Sequence, residues 1–187
     1  MPLLLASASP RRADLLKSAG FVFDIEAVEV DERPLPGEDP SACVLRLARE
    51  KAAAVASRHP DDVVIGADTV VVVDNEILGK PSGDEQAAQM LAQLSGRCHE
   101  VLTGVSVCRG GGEVSAVERT RVWFMPLTTS DIAWYVASGE PRGKAGAYAV
   151  QGLASRFVER IEGSYSNVVG LPAAEVLEAL ERLGAVP

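Results

Sequence analysis

The sequence lacks long apolar runs, paired cysteines and a surplus of cationic residues, and each absence excludes a class of protein. No stretch approaches 18 uninterrupted apolar residues, so no membrane span is predicted. The short apolar run at 2–6 precedes its charged residues, which is the reverse of a secretory signal. The three cysteines, Cys43, Cys98 and Cys108, form no C-x-x-C pair and fit a reducing compartment. We therefore expect a cytoplasmic protein with no membrane segment.

Cationic residues are outnumbered, and lysine is especially scarce. The 187 residues include 18 Lys and Arg against 26 Asp and Glu, for a formal net charge of −8, and only four of them are lysine. Nucleic-acid binding needs surplus cations to release phosphate counterions, so no stable nucleic-acid binding is expected. A small anionic ligand stays compatible with this charge if the cations gather in one cleft. His59 and His99 are far apart, which argues against paired-histidine zinc ligation and a Ser-His-Asp triad.

The composition, 47% hydrophobic and 24% charged, is typical of a globular protein with one domain or two tightly joined lobes. The residue patterns predict strands at 2–6, 21–30, 63–73, near 76–80, 99–108, 114–125, 147–150 and 156–161. They predict helices at 10–19, 40–57, 82–94, 129–138 and 172–184. Because strands and helices alternate around an antiparallel middle, we expect a mixed α/β fold.

The first candidate site lies between the first strand and the first helix. A helix N-terminus presents free N–H groups and partial positive charge, and Ser7, Ser9, Arg11 and Arg12 add hydroxyls and guanidiniums there. This combination suits a phosphate group. The alternative is a plain capped helix with two surface arginines.

The second candidate site is a set of acidic residues. Asp68 interrupts the most apolar strand, where a carboxylate is costly to bury unless it is paired or binds a metal. Asp31 and Glu32, in a proline-bounded loop, provide carboxylates that could hold Mg²⁺ together with Asp68. The alternatives are a strand-end aspartate that caps a loop, and a solvated acidic loop.

Three further polar positions are candidates for ligand contacts. Lys51 on a helix face and Lys80 after a turn offer compact ammonium groups for phosphate oxygens, although each taken singly is more often a solvated lysine. Gln151, before a glycine, offers an amide donor and acceptor to a base edge, with a surface glutamine as the alternative. The glycine run at 110–112 lies between two strands and predicts a hairpin rather than a phosphate loop.

Seven segments carry a family resemblance: LLLASASPRRADLL at the start, VDE at 30–32, LAREKA at 47–52, GADTVV at 66–71, LGKP at 78–81, AGAYAVQG at 145–152 and GSYSNVVGLP at 163–172. Together, and in this order, they resemble the Maf proteins, which are nucleoside triphosphate pyrophosphatases. One segment alone means little, but the ordered set spans the chain. The resemblance implies a single Maf-like domain over 1–187.

The resemblance also implies an elongated α/β fold, with a central mixed sheet flanked by helices and a deep cleft between two lobes. The implied reaction cuts a nucleoside triphosphate between its α and β phosphates with a divalent cation, Mg²⁺ or Mn²⁺. The positions that match triphosphate-binding residues of the family are Ser7, Arg12, Lys51 and Lys80. Glu32, or Asp31 beside it, matches the metal ligand. Asp68 matches both a metal ligand and the proton acceptor that activates water.

Three positions distinguish the two main branches of this family. Arg11, Thr69 and Gln151 match the dTTP/UTP pyrophosphatase branch, whereas the branch that acts on 7-methyl-GTP tends to have Trp, Gln and Glu there. The resemblance therefore implies dTTP and UTP as substrates, with modified pyrimidine nucleotides also open. Gly143 departs from the branch, where an acidic residue is common, but it touches none of these roles.

Two other functions stay open on the sequence. A regulator that binds nucleotide without catalysis would keep the cations but would not need Asp68 and Glu32. Because the family is associated with septum formation and cell-division arrest, a regulatory role can also coexist with catalysis. The second alternative is a house-cleaning enzyme for ITP or 7-methyl-GTP. A homodimer is open as well.

Overall fold

The computed structural model describes residues 2–186, and over that range it is a mixed α/β protein, as expected. Its seven strands are β1 (Leu3–Leu5), β2 (Asp24–Ile25), β3 (Val63–Val73), β4 (Glu76–Leu78), β5 (Cys98–Arg109), β6 (Gly112–Phe124) and β7 (Val158–Glu162). Its six α-helices are α1 (Pro10–Ser18), α2 (Pro40–Ala56), α3 (Asp84–Leu94), α4 (Thr129–Ala137), α5 (Tyr165–Val169) and α6 (Ala173–Arg182). None of these helices is long and apolar enough to cross a membrane.

The seven strands form one sheet in the order β2-β1-β3-β5-β6-β7, with β4 paired to β3. The described residues divide into two compact units. The first unit comprises residues 2–69, 103–118 and 170–186, and the second comprises 70–102 and 119–169.

In the first unit, β1 pairs in parallel with β2 on one side and with β3 on the other. Side chains on one face of these strands, such as Leu5 and Ile65, form a core with α1 and α6. Side chains on the other face, such as Leu4 and Val64, pack against α2. The chain therefore winds in opposite directions on either side of β1, and the sheet has a topological switch point between β1 and β3.

Helix α2 lies directly against the backbone of the sheet because two strand positions carry glycine. A Cβ atom at Gly66 would lie 2.6 Å from Ala52 N, and one at Gly104 would lie 2.8 Å from Leu45 N. Real Cβ atoms do not approach backbone atoms this closely. The two glycines therefore set the distance between α2 and the sheet, and with it the reach of α2 side chains.

In the second unit, β4 pairs with β3 and β7 pairs with β6, both antiparallel. Its core is rich in rings. Phe124 packs against His99, Tyr148 and Phe157 with ring centroids 4.9–6.4 Å apart, in edge-on or tilted geometry. Such edge-to-face contacts add to the stabilisation from burial.

Most predicted elements are confirmed, and β3 matches its predicted bounds. The strand predicted at 21–30 is wrong beyond two residues, because its partner β1 has only three residues with which to pair. The strand predicted at 147–150 is also wrong, since positive φ angles at Gly146 and Ala147 break the extended backbone. The short helix α5 was not predicted.

Two helix starts differ from prediction by one residue. The capping box predicted at 82–85 is wrong: Gly83 is the N-cap of α3, and Ser82 N donates instead to Gln86 Oε1. The cap predicted at Thr129 or Ser130 is Thr128, which forms a capping box with Asp131. The predicted hairpin between β5 and β6 is confirmed, with Gly110 and Gly111 in the left-handed region.

Candidate active site

The candidate site lies in the first unit, beside the switch point of the parallel strands. Ser7 follows the carboxyl end of β1, and Asp68 lies on β3 past its pairing with β1, which ends at the Leu5–Ile65 pair. Ligands of open α/β sheets bind outside the carboxyl ends of strands at such a point. The topology alone therefore brings two of the predicted residues to one place.

Arg12 is the central cation of this site. It lies in the first turn of α1 and is 9% exposed. Its guanidinium donates from Nε to Gly170 O at 2.7 Å, from Nη1 to Ser7 Oγ at 3.1 Å and from Nη2 to Thr69 Oγ1 at 3.0 Å. Thr69 Oγ1 also bonds Thr103 Oγ1 at 2.9 Å. These contacts fix the plane of the guanidinium.

All three acceptors of Arg12 are neutral oxygens, so among residues 2–186 no carboxylate is in direct hydrogen-bond contact with this buried positive charge. Burial lowers the pKa of Arg12, and the charge of Asp68 opposes this effect. A buried charge is costly unless a charge of opposite sign accompanies it. The guanidinium therefore favours an anion at this position, and two of its five N–H groups remain to bind one.

Ser7 is also arranged to donate. Its Oγ accepts from Ser9 N at 3.2 Å and from Arg12 Nη1 at 3.1 Å. Both bonds use lone pairs of the oxygen, which leaves the hydroxyl proton to donate to an acidic oxygen of a ligand. Ser9 is the N-cap of α1, as predicted, but its own side chain makes no capping bond.

A second charged group lies on the α2 face of the sheet. Lys51 occupies the buried face of α2 and is 6% exposed. Its Nζ donates to Asp68 Oδ1 at 2.7 Å and to Glu32 Oε1 at 2.7 Å. Asp68 is buried, whereas the side chain of Glu32 is 43% exposed. The ammonium thus joins two predicted metal ligands from segments far apart in sequence.

Adjacent residues of β3 serve the two sides of the sheet. Side chains alternate along a strand, so Asp68 points toward α2 and Thr69 toward α1. The contacts agree, because Asp68 bonds Lys51 of α2 while Thr69 bonds Arg12 of α1. The consecutive residues Asp68 and Thr69 therefore place a carboxylate on the α2 side of the sheet and an acceptor for the Arg12 guanidinium on the α1 side.

Asp31 and Glu32 separate in the structure. Asp31 is paired with Arg33 at 2.5 Å in an exposed setting, and the hydrogen bonds from Arg33 lower the pKa of Asp31 to about 2. Glu32 instead turns toward Lys51, which also contacts Asp68. Of the two acids, Glu32 is the one that the structure joins to Asp68.

The donor set at Glu32 and Asp68 fits a divalent cation. One oxygen of each carboxylate lies 2.7 Å from the same Lys51 nitrogen, so the pair already surrounds a positive charge. No group of three or more His, Cys, Asp or Glu side chains suited to a metal exists among residues 2–186. Two carboxylates, completed by water and substrate phosphates, form the ligand set that Mg²⁺ typically takes.

The remaining predicted residues lie beside or outside this cluster. Arg11, next to Arg12, is half-buried, and its charge adds to the lowering of the pKa of Arg12 that burial causes. Lys80 and Gln151 belong to the second unit and are exposed. The segments that carry them touch, since Gly146 N donates to Gly79 O at 3.1 Å.

Sequence reasoning missed two residues of the site. Thr103 is fully buried on β5, and its hydroxyl bonds Thr69. Gly170 accepts from both Arg12 and Thr69 through its carbonyl oxygen. A threonine inside an apolar strand was a weak signal, whereas a main-chain carbonyl leaves no signal in a sequence.

These features define a class of protein: a mixed α/β protein with a buried guanidinium and a bridged pair of carboxylates at the switch point of its parallel strands. The family model of the Maf-like protein matches residues 2–183. The chain therefore belongs to the Maf-like protein family.

Relatives of this chain carry a consistent name. The dTTP/UTP pyrophosphatase of Koribacter versatilis is 50% identical, over 100% of this chain and 96% of its own. The dTTP/UTP pyrophosphatase of Geobacter metallireducens is 52% identical, over 98% of this chain and 97% of its own. Among solved structures, the Staphylococcus aureus Ham1 protein is similar with a TM-score of 0.48 and 16% identity, over 98% of this chain and 100% of its own. That likeness is too weak to inform function.

Proposed function

We propose that this protein is a nucleoside triphosphate pyrophosphatase that hydrolyses dTTP and UTP to the nucleoside monophosphate and pyrophosphate. The observation that carries the proposal is the buried Arg12 guanidinium, whose acceptors within the described part of the chain are all neutral oxygens. It lies beside the group formed by Lys51, Glu32 and Asp68. A phosphate chain supplies the negative charge that the first group lacks. The names of relatives about 50% identical over their full length support the same reaction.

The triphosphate would be held mainly by cations. Arg12 has two N–H groups left for phosphate oxygens, and Ser7 has its hydroxyl proton. Lys51 lies beside the carboxylates, where its ammonium would donate to a phosphate oxygen of the bound triphosphate. Lys80 is assigned to the triphosphate by the family resemblance. Their positive charge offsets the negative charge that builds up on the oxygens during hydrolysis.

A divalent cation, Mg²⁺ or Mn²⁺, would be held by Glu32 and Asp68. When bound, it would neutralise charge on the phosphate oxygens and help to orient them. The carboxylates of this chain provide two of its ligands, and their fixed position comes from β3 and from the loop before α2.

Asp68 is the proton acceptor in this proposal. Lys51 bonds its Oδ1, which leaves Oδ2 to accept a proton from water. As the oxygen of water bonds to phosphorus, its proton passes to Asp68 and the anhydride bond between the α and β phosphates breaks. Pyrophosphate leaves with the electron pair of that bond.

Arg11, Thr69 and Gln151 would set the base preference. Uracil and thymine present a carbonyl–NH–carbonyl edge, with which the Gln151 amide can pair. Cytosine carries an amino group in place of one carbonyl and would leave a partner unpaired, which costs more than a missing methyl group. The thymine methyl needs only open or apolar space. We therefore expect dTTP and UTP to be better substrates than CTP, and better than the purines.

The test is release of pyrophosphate from dTTP, UTP, CTP, GTP, ITP and 7-methyl-GTP with Mg²⁺ or Mn²⁺. We expect the highest kcat/KM for dTTP and UTP, and Gln151→Glu should reduce these values more than it weakens binding of pyrophosphate. Binding of nucleotide without pyrophosphate release would favour a non-catalytic regulator. A preference for ITP or 7-methyl-GTP would overturn the assigned specificity. Cytoplasmic location and a link to septum formation are further parts of this proposal that such assays leave to cell experiments.

A further inference from the structure

Two residues of the second unit form a hydrogen-bonded clamp on the segment that contains Gln151. Tyr135 is fully buried on α4, and its hydroxyl donates to Glu140 Oε2 at 2.7 Å. The same hydroxyl accepts from Ala149 N at 3.2 Å. Glu140 in turn accepts from Leu153 N at 3.0 Å and from Ala154 N at 3.3 Å. The clamp thus grips the chain at both ends of the stretch 149–154.

Gln151 lies in the middle of this gripped stretch. Its side chain is exposed, while Ala149 and Val150 before it are buried. The following Gly152 lies so close to the Glu140 carboxylate that a Cβ there would overlap it. The backbone on both sides of Gln151 is therefore fixed, and only its side chain is left to meet a ligand.

We propose that Tyr135 and Glu140 are positioning residues that hold Gln151 in the orientation needed to read the pyrimidine edge. This inference rests on the proposed function, because it assigns a ligand to Gln151. Neither residue touches the nucleotide in this scheme. Both act through the backbone of the stretch 149–154.

The chemistry of the clamp requires a carboxylate and a phenol. Burial raises the pKa of Glu140, but the hydrogen bonds from Leu153 N, Tyr135 and Ala154 N outweigh this effect. The net result is a pKa below the ordinary value, so the carboxylate is ionised at neutral pH. An ionised carboxylate accepts all three hydrogen bonds. The amide of a glutamine has one accepting oxygen, and its own NH₂ group would face one or more of the three donors. Burial also raises the pKa of Tyr135, which keeps its hydroxyl protonated as a donor.

The experiment compares Tyr135→Phe and Glu140→Gln with the wild type and with Gln151→Ala. Both clamp changes preserve side-chain size, and Tyr165→Phe, at an exposed tyrosine, is the matched control. For each protein, kcat and KM are measured for UTP and CTP, and the melting temperature is recorded. We expect each clamp variant to lose at least about tenfold of the UTP-over-CTP preference, mostly through KM for UTP, with kcat within about threefold of wild type.

The double variants separate positioning from general damage. In a Gln151→Ala background, Tyr135→Phe should leave the UTP-over-CTP ratio unchanged, because the side chain that it positions is gone. A clamp variant that keeps the wild-type ratio overturns the inference. A clamp variant that has equally reduced rates on UTP and CTP and a lower melting temperature also overturns it. If the wild type releases no pyrophosphate from UTP, the proposed function fails first and this inference fails with it.

Discussion

The Lys51 ammonium lies 2.7 Å from Asp68 Oδ1 and 2.7 Å from Glu32 Oε1, so a cation already stands between the two carboxylates proposed to bind a metal. A positive charge attracts each carboxylate, and the two carboxylates repel each other when no cation lies between them. A divalent cation and the ammonium therefore compete for the same negative charge. This competition gives a test of the site that does not depend on catalysis.

Replacing Lys51 with methionine should increase metal binding in the absence of nucleotide. The change keeps an unbranched side chain but leaves Asp68 and Glu32 without their shared cation, at a cost on the order of 1–3 kcal/mol because Glu32 is partly exposed. Binding of Mn²⁺ to the folded state should offset this loss. We expect excess Mn²⁺ to raise the melting temperature of Lys51→Met more than that of the wild type.

The matched control for this measurement is Lys17→Met, an exposed lysine near the end of α1. It should respond to Mn²⁺ as the wild type does. Equal shifts for Lys51→Met and Lys17→Met would show that the ion does not bind between Asp68 and Glu32.

Asp68→Asn should abolish turnover while the fold survives. The amide keeps the size of the side chain but cannot accept a proton from water, and it weakens both the Lys51 contact and metal binding. Loss of a general base costs about 10²–10⁴ in rate. The measurement is kcat for dTTP with a circular dichroism spectrum of the variant. Asp61→Asn, at an exposed aspartate just before β3, should retain full activity. A folded Asp68→Asn protein with wild-type kcat would remove Asp68 from the mechanism.

Two charged residues of the candidate site break a local apolar pattern, whereas Glu32 was assigned as a metal ligand only through the family resemblance. Asp68 interrupts an apolar strand, and Lys51 falls on the apolar face of α2, in line with Leu47 and Val55. Arg12 follows a serine-rich helix start. Such departures from a buried pattern are visible without a structure, and so is the alternation of strands and helices.

The partners of these charges could not be predicted. Arg12 bonds the carbonyl of Gly170, 158 positions along the chain, and no side chain records that contact. Thr69 turned out to bond Arg12 and Thr103, whereas sequence reasoning assigned it only to base preference. Those contacts depend on how α1, β3 and β5 come together, which is a property of packing and not of local pattern.

Gly66→Ala should destabilise the protein and separate Lys51 from Asp68. The new methyl group would lie 2.6 Å from Ala52 N and 2.9 Å from Ala52 Cβ, so α2 has to move away from the sheet. Overpacking of this kind costs about 1–3 kcal/mol. Urea unfolding measures the loss, and kcat should fall with it. Gly79→Ala, where a Cβ would meet nothing within 4 Å, is the stability control and should change little. Equal stability of the two variants would mean that Gly66 does not set the position of α2.

The buried His99 should make the folded protein less stable in acid. His99 is 2% exposed, its Nε2 bonds the Tyr148 hydroxyl at 2.8 Å, and its Nδ1 has no partner among the described residues. Burial lowers the pKa of His99 from 6.5 to about 3. Between these values the unfolded chain binds a proton that the folded protein excludes. The contribution of neutral His99 is therefore complete above about pH 6.5 and is lost progressively as the pH falls toward 3.

Between pH 7.5 and pH 5 this one group should remove about 2 kcal/mol from the free energy of unfolding. Other groups titrate in the same range, so the comparison is with His99→Gln, which keeps a polar side chain toward Tyr148 but cannot take up a proton. Urea unfolding at both pH values should show a smaller loss in the variant than in the wild type. The absolute stability of His99→Gln at pH 7.5 does not enter the comparison, because only the change in the free energy of unfolding between the two pH values measures proton uptake by His99. Equal losses in the two proteins would show that His99 takes up its proton as readily in the folded state as in the unfolded chain.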